Sequence, residues 1–317
     1  MSAVVRFHHP GPPSVLVLEH DDVPLPGLGE VRFRARAIGV NFVDTAFRDG
    51  SFNAALPAVG GVEAAGVIDA VGPGVTDHAV GDRVGYFFAP GSYAELRNVP
   101  AEVLIRLPDD IAFDDAAAIM TKGLTAWVAI RHLHPVEPGE AVLVQGATGG
   151  VGSLTARWAD ALGAQVVGTG SAAKLGVLDG SGVRGVDSHD PRLADRLREL
   201  VPGGFDLVCE FVGQATFPAS VAAIRDGGEI VMIGAASGRP EVDRDTLASR
   251  RIRLSSGSTA QLVRGSLLAS ASAEVFDAHR RGVFGTLRLS RYPLAEAARA
   301  HEDIASRHRD GLLLLIP

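Results

Sequence analysis

The residues in this chain best suited to chemistry are glycines. The run Ala141-Val-Leu-Val-Gln-Gly-Ala-Thr-Gly-Gly-Val-Gly152 has the pattern of a buried strand that passes directly into Gly146, Gly149, Gly150 and Gly152. The residues that follow put Val151, Leu154, Thr155, Trp158, Ala161 and Leu162 on one helical face, and a second apolar run starts at Gln165. Strand, glycine turn and helix within a βαβ unit are the setting that a dinucleotide pyrophosphate needs. The glycines permit a tight turn and close backbone approach, and the helix offers unpaired N–H groups at its positive end. The competing reading is a helix N-terminus that only packs closely on its sheet.

The end of the second strand discriminates between cofactors, because an acid there hydrogen-bonds the ribose hydroxyls and repels a 2′-phosphate. This chain reads Val167-Gly-Thr-Gly-Ser-Ala-Ala-Lys174, with no acid. Ser171 supplies a hydrogen-bond donor and Lys174, one of only two lysines with Lys122, supplies a point charge. The combination points to NADPH; the alternative for Lys174 is a solvated lysine in a first helical turn. Further on, Asp206-Leu-Val-Cys-Glu-Phe-Val-Gly213 and Gly228-Glu-Ile-Val-Met-Ile-Gly234 each end a strand on glycine. These are candidate walls of the cofactor cleft or ordinary turn glycines.

Other chemistries lack their residues. A single cysteine, Cys209, allows neither an internal disulfide nor a Cys₄ zinc cluster. The close histidine pairs His8/His9, His132/His134 and His301/His308 carry no accompanying ligand set, so they read as surface histidines and no metal is expected. No G-x-S-x-G elbow occurs, which disfavours hydrolysis. A net charge of −7 leaves no footprint for nucleic acid or anionic lipid, and no 18-residue apolar run exists to span a bilayer. The start, Met1-Ser-Ala-Val-Val-Arg-Phe-His-His9, lacks a signal-peptide pattern, so the expected compartment is the cytoplasm and the expected partners are small molecules.

The elements that must position the glycine loop follow from the apolar patterning of the 317 residues, a length that suggests two domains. Up to about residue 110, short β-type runs (Val15 to Glu19, Val31 to Ile38, Glu63 to Val71, Tyr93 to Val99) alternate with Gly/Pro punctuation, a mostly-β pattern. Phe113 to Leu133 has helical spacing and reads as one helix or as two broken at Gly123. Between 140 and 257 the strands Ala141–Gln145, Gln165–Thr169, Leu207–Phe211 and Glu229–Gly234 alternate with amphipathic segments, which predicts a parallel sheet covered by helices. The last fifty or so residues read helix, strand (Leu287 to Arg291), helix, strand (Leu312 to Ile316).

At this point the residues resemble a family, the zinc-free quinone oxidoreductases of the medium-chain dehydrogenase/reductase superfamily, over essentially the full length. The matching stretches are Gly39-Val-Asn-Phe-Val-Asp-Thr45 with Arg48 and Gly50, Gly61-Val-Glu-Ala-Ala-Gly66, Gly81-Asp-Arg-Val84, Gly91-Ser-Tyr-Ala-Glu95, Lys122-Gly-Leu-Thr-Ala126, the glycine loop, and Leu313-Leu-Leu-Ile-Pro317. Zinc alcohol dehydrogenases carry a ligand cysteine where this chain has Asn41 and a histidine where it has Val62. The resemblance implies an α/β protein with a GroES-like, β-rich substrate domain (1–122 and 263–317) and a Rossmann, doubly wound parallel-sheet domain (123–262) of strand order 3-2-1-4-5-6. It implies an active cleft between the two and a homodimer or tetramer.

Position by position, the resemblance puts Asn41 and Thr125 near the nicotinamide as the catalytic pair. Gly149, Gly150 and Val151 meet the pyrophosphate, and Ser171 and Lys174 the 2′-phosphate. His189 stands where relatives stack a tyrosine on the adenosine, or is simply a loop residue. Val212, Ile233 and Ser256-Gly257-Ser258 line the cofactor's other side. Family members commonly carry tyrosines at the positions of Ala46 and Phe52, so two pocket hydroxyls are missing here, and Ala46 enlarges the pocket. Related enoyl reductases use a tyrosine near the second position as proton donor; Tyr86, Tyr93 or a water would have to replace it. Quinone reduction needs only juxtaposition, because the reduced oxygens take protons from solvent. The implied activity is therefore NADPH-dependent quinone reduction without a metal. Reduction of an activated C=C bond in an enone or enoyl thioester is the runner-up, and a non-catalytic NADPH-binding protein is the reading from another class.

Overall fold

The computed structural model describes residues 1–306 and 311–317. In chain order the strands are β1 (Ser2–Phe7), β2 (Val17–Asp21), β3 (Glu30–Gly39), β4 (Ala58–Val59), β5 (Glu63–Val71), β6 (Arg83–Tyr86), β7 (Leu96–Pro100), β8 (Ile105–Arg106), β9 (Ala141–Gln145), β10 (Gln165–Gly170), β11 (Arg184–Asp187), β12 (Phe205–Glu210), β13 (Ile224–Met232), β14 (Arg253–Ser256), β15 (Leu289–Pro293) and β16 (Leu312–Ile316). The helices are α1 (Phe42–Asp49), α2 (Phe113–Trp127), α3 (Gly150–Ala161), α4 (Leu193–Leu200), α5 (Phe217–Ala223), α6 (Arg244–Ser249), α7 (Thr259–Leu262), α8 (Ser266–Arg280) and α9 (Ala297–Ala305). Met1–Thr121, Arg264–Phe276 and Leu287–Pro317 form one unit, and Lys122–Val263 with Asp277–Thr286 the other. Residues 277–286 thus group with the second unit, where Phe284 meets the Trp158 ring edge to face at 5.6 Å, although the sequence reading gives all of 263–317 to the first.

The first unit is built on a seven-stranded sheet, β15-β16-β3-β5-β6-β8 with β7 also paired to β3, and a three-stranded sheet, β2-β1-β4. Alternation sets its core: along β3, Val31, Phe33 and Ala35 point inward between half-buried arginines, and meet Ile68, Val84 and Tyr86. The C-terminal β16 lies antiparallel to β3, with Leu314 opposite Gly39, so the end of the chain completes this sheet.

In the second unit six parallel strands run in the order β11-β10-β9-β12-β13-β14, which is 3-2-1-4-5-6 when counted from β9. Every residue of β9 is buried, as expected for a central strand covered on both faces.

Several elements differ from the sequence reading for local reasons. The first strand, Ser2–Phe7, has no Gly/Pro punctuation ahead of it, and the second starts two residues late because Pro13–Val15 form a 3₁₀ turn. Gly123 does not break α2: Ala116 to Met120, Leu124 and Ala126 are all buried, and packing outweighs the roughly 1 kcal/mol propensity cost of one glycine. The helix instead changes at Val128, where a π turn runs to Leu133.

Candidate functional site

In the second unit, the glycine loop joins β9 to α3 as its sequence requires. Gly146 has φ +72°, the left-handed region that side chains avoid, and its N–H donates to Thr169 Oγ1 at 3.3 Å. Gly152 must lack a side chain, since a Cβ there would lie 2.2 Å from the Gly146 carbonyl oxygen. Gly149 is the N-cap of α3, whose first turn carries no acidic residue. Gly149, Gly150 and Val151 are half-buried, so main-chain N–H groups without helical partners stand at a reachable helix terminus. A helix terminus without a first-turn acid suits an anionic group such as a pyrophosphate in charge.

Beneath the loop runs a buried polar chain that sequence reasoning missed. Thr169 Oγ1 donates to Gln145 Oε1 at 2.5 Å, Gln145 Nε2 to Ser220 Oγ at 3.0 Å, and Ser220 Oγ to Glu210 Oε2 at 2.8 Å. The other Glu210 oxygen accepts the N–H groups of Val212 and Gly213, each at 2.9 Å, and the Thr216 hydroxyl at 2.8 Å. The chain ties the ends of β9, β10 and β12 together, so it fixes the loop and the Val212 wall as one piece. Gln145 and Glu210, polar residues closing otherwise apolar strands, were its visible signal.

Ser171 and Lys174 sit together beyond β10, where the Lys174 N–H donates to the Ser171 carbonyl at 2.8 Å and both residues are half-buried. Strand β10 ends without an acid, but β11 places Asp187 beside Gly170. That carboxylate accepts the His189 N–H at 3.1 Å, a main-chain bond that holds it below the usual carboxylate range. The His189 side chain is 60% exposed, with Asp187 Oδ1 3.4 Å from its Nδ1. Val212 and Ile233 are half-buried at the ends of β12 and β13, with the Ile233 N–H on the Glu210 carbonyl at 3.1 Å. Ser256, Gly257 and Ser258 lead from β14 into α7, where the Thr259 hydroxyl donates to Thr125 Oγ1 at 3.1 Å. Thr259, a residue the sequence reading passed over, thus fixes the hydroxyl of buried Thr125.

In the first unit, Asn41 is the buried N-cap of α1. Ala46 is half-buried on that helix, and Phe52, 46% exposed, donates its N–H to the Ala46 carbonyl at 2.8 Å and meets the Phe47 ring edge to face at 5.6 Å. With Phe42, half-exposed beside Asn41, these side chains make an apolar, hydroxyl-free surface on α1 and the turn after it.

Two expectations require correction. Tyr86 and Tyr93 are not pocket residues open to a substrate, because both are 0% exposed. Tyr86 packs edge to face on Phe33 at 5.0 Å within the core. The Tyr93 hydroxyl is bound to Asp44 Oδ2 at 3.0 Å and His301 Nε2 at 2.8 Å, and burial, reinforced by Asp44, raises its pKa well above the ordinary tyrosine value. The histidine pairs are not all superficial either. His301 is buried, and His134, whose side chain is 14% exposed, lies 2.9 Å from Glu229 Oε2. His308 lies outside the described residues. Among the described residues no group of three or more His, Cys, Asp or Glu could hold a metal ion, and no helix is long and apolar enough to cross a membrane.

Comparison with known proteins adds to this geometry. Residues 27–109 match the family model of the alcohol dehydrogenase GroES-like domain, and residues 150–275 that of zinc-binding dehydrogenases. A quinone oxidoreductase of Pseudomonas aeruginosa is 37% identical over 100% of both chains. A 2-haloacrylate reductase of Burkholderia sp is 37% identical over 100% of this chain and 99% of its own. Among solved structures, a quinone oxidoreductase of Escherichia coli complexed with NADPH superposes with TM-score 0.94 at 33% identity, covering 99% of this chain and 100% of that one.

Proposed function

The chain is an oxidoreductase of the quinone oxidoreductase family within the medium-chain dehydrogenase/reductase superfamily, and from that premise we propose that it reduces a quinone-type acceptor with NADPH and without a metal. NADPH supplies the hydride. The second unit binds it: the turn from Gly149 to Val151 takes the pyrophosphate through the Gly150 and Val151 N–H groups, the Gly149 N–H being held by the Gly146 carbonyl at 2.9 Å, while Ser171 and Lys174 take the 2′-phosphate and His189 lies against the adenosine. Thr125, its hydroxyl set by Thr259, and Asn41 meet the nicotinamide, and Val212, Ile233 and Ser256 to Ser258 line the cofactor's other side. The acceptor rests on the apolar surface of Ala46 and Phe52, which admits a flat, bulky ring.

The observation that carries the quinone reading is that none of the four expected substrate-pocket positions, 46, 52, 86 and 93, offers an accessible hydroxyl. Positions 46 and 52 have none, and those of Tyr86 and Tyr93 are sealed in the core. A quinone's reduced oxygens take protons from water, whereas an enone carbon needs a placed donor. The second reading, reduction of an activated C=C bond, is favoured by the likeness to the 2-haloacrylate reductase. NADPH oxidation by the purified protein, followed with phenanthrenequinone and with a simple cyclic enone, separates them. Turnover of the quinone alone is expected; turnover of the enone alone would overturn the assignment.

A further inference from the structure

Asn41 is gripped from two sides by buried carboxylates of its own unit. Asp44 Oδ2 accepts its main-chain N–H at 2.8 Å, and its side-chain Nδ2 donates to Glu63 Oε2, also at 2.8 Å. Glu63 is 0% exposed, and its other oxygen accepts the Thr121 N–H at 2.6 Å. The seat is built for it: a Cβ on Gly39 would lie 2.3 Å from Glu63 Oε2 and 2.3 Å from the Ala117 carbonyl. Burying a carboxylate is costly. What a carboxylate does that an amide does not is accept at both oxygens and donate at neither.

We propose that Glu63 is a positioning residue that sets the polarity of the Asn41 amide, holding the NH₂ on its own side and the carbonyl oxygen on the other. The consequence for the reaction rests on the reading that Asn41 meets the nicotinamide. With Glu63 in place, the face of the amide turned from it is an acceptor, which suits the NH₂ of a carboxamide.

The substitution Glu63→Gln tests this with no change of shape. The Thr121 N–H belongs to the main chain and cannot turn, so the Gln oxygen faces it and the Gln NH₂ faces Asn41. Asn41 then keeps this contact only by reversing, which takes its carbonyl oxygen from the Asp44 N–H that it caps. The chain has only three asparagines, Asn41, Asn53 and Asn98, so the side-chain NH₂ signals in an asparagine-labelled nitrogen–proton correlation spectrum are few enough to assign. In E63Q the Asn41 NH₂ signal should shift and lose its protection from exchange, and the Kd for NADPH, read by NADPH fluorescence, should rise about tenfold or more. In the double variant N41D/E63Q a carboxylate at 41 accepts from the Gln NH₂ and keeps an oxygen on its far side, so most of the affinity should return. An Asn41 NH₂ signal unchanged in folded E63Q would sink the proposal, as would a double variant no better than E63Q. A reversed amide with unchanged NADPH affinity and turnover would instead sink the reading of Asn41 as a nicotinamide residue and leave its orientation by Glu63 standing.

Discussion

Lys174 is a test of how far one residue fixes a cofactor. Its main-chain N–H closes on the Ser171 carbonyl, so the two residues singled out from the sequence share one turn. A point charge contributes to a phosphate site through one phosphate, and only NADPH carries the 2′-phosphate. Lys174→Ala should therefore raise the KM for NADPH about ten- to a hundredfold and leave that for NADH nearly unchanged. Steady-state kinetics with both cofactors check this, and an equal loss for both would remove Lys174 from the role. At this scale the sequence was readable where space or backbone conformation demands one residue type, as at Gly146 and Gly152. It was unreadable for Tyr86 and Tyr93, whose phenols look like proton donors until burial and Asp44 are known.

At the scale of elements, the β9–loop–α3 unit was legible because its glycines are forced by space and by backbone conformation, and such requirements act locally. Gly152→Ala puts a methyl against the Gly146 carbonyl carbon at 2.7 Å as well as its oxygen, so α3 must move off the strand end. Overpacking of this kind costs about 1–3 kcal/mol. Urea unfolding should show a loss in that range, with NADPH binding weakened about tenfold or more. Gly203→Ala, where a Cβ meets nothing within 4 Å, should be close to neutral in both measurements. Strands β11 and β14 escaped notice because each is at the edge of the sheet with a single neighbour, and Arg184-Gly-Val-Asp and Arg253-Leu-Ser-Ser carry little apolar signal. Their place is dictated by the parallel partner strand, and that is information that no short window contains.

The whole chain is needed to explain the C-terminal segment, whose helices and strands fit no repeat in the sequence. Its β16 pairs with β3 at Gly39, and the Val40 N–H donates to the Leu313 carbonyl at 3.0 Å, so the last residues brace the turn that leads to Asn41. Helix α9 adds His301, which lies 2.8 Å from the Tyr93 hydroxyl and 3.4 Å from Arg48 Nη1. Arginine only donates, so His301 Nδ1 accepts, and the neutral ring carries its proton on Nε2 and gives it to Tyr93 Oη. Tyr93 in turn donates to Asp44. Burial first, and the Arg48 charge second, push the His301 pKa down from 6.5 to about 3. Between those values the unfolded chain binds a proton that the folded one refuses, so stability falls as pH falls through that window, at up to about 1.4 kcal/mol per pH unit from this group. His301→Gln keeps a donor for Tyr93 and does not titrate. Urea unfolding free energies measured at pH 7 and again about two units lower should show the wild type losing ground to the variant by about 1–3 kcal/mol. Parallel pH profiles for the two proteins would mean that His301 takes up its proton at the same pH in the fold as in the unfolded chain, so that burial and Arg48 do not hold it neutral.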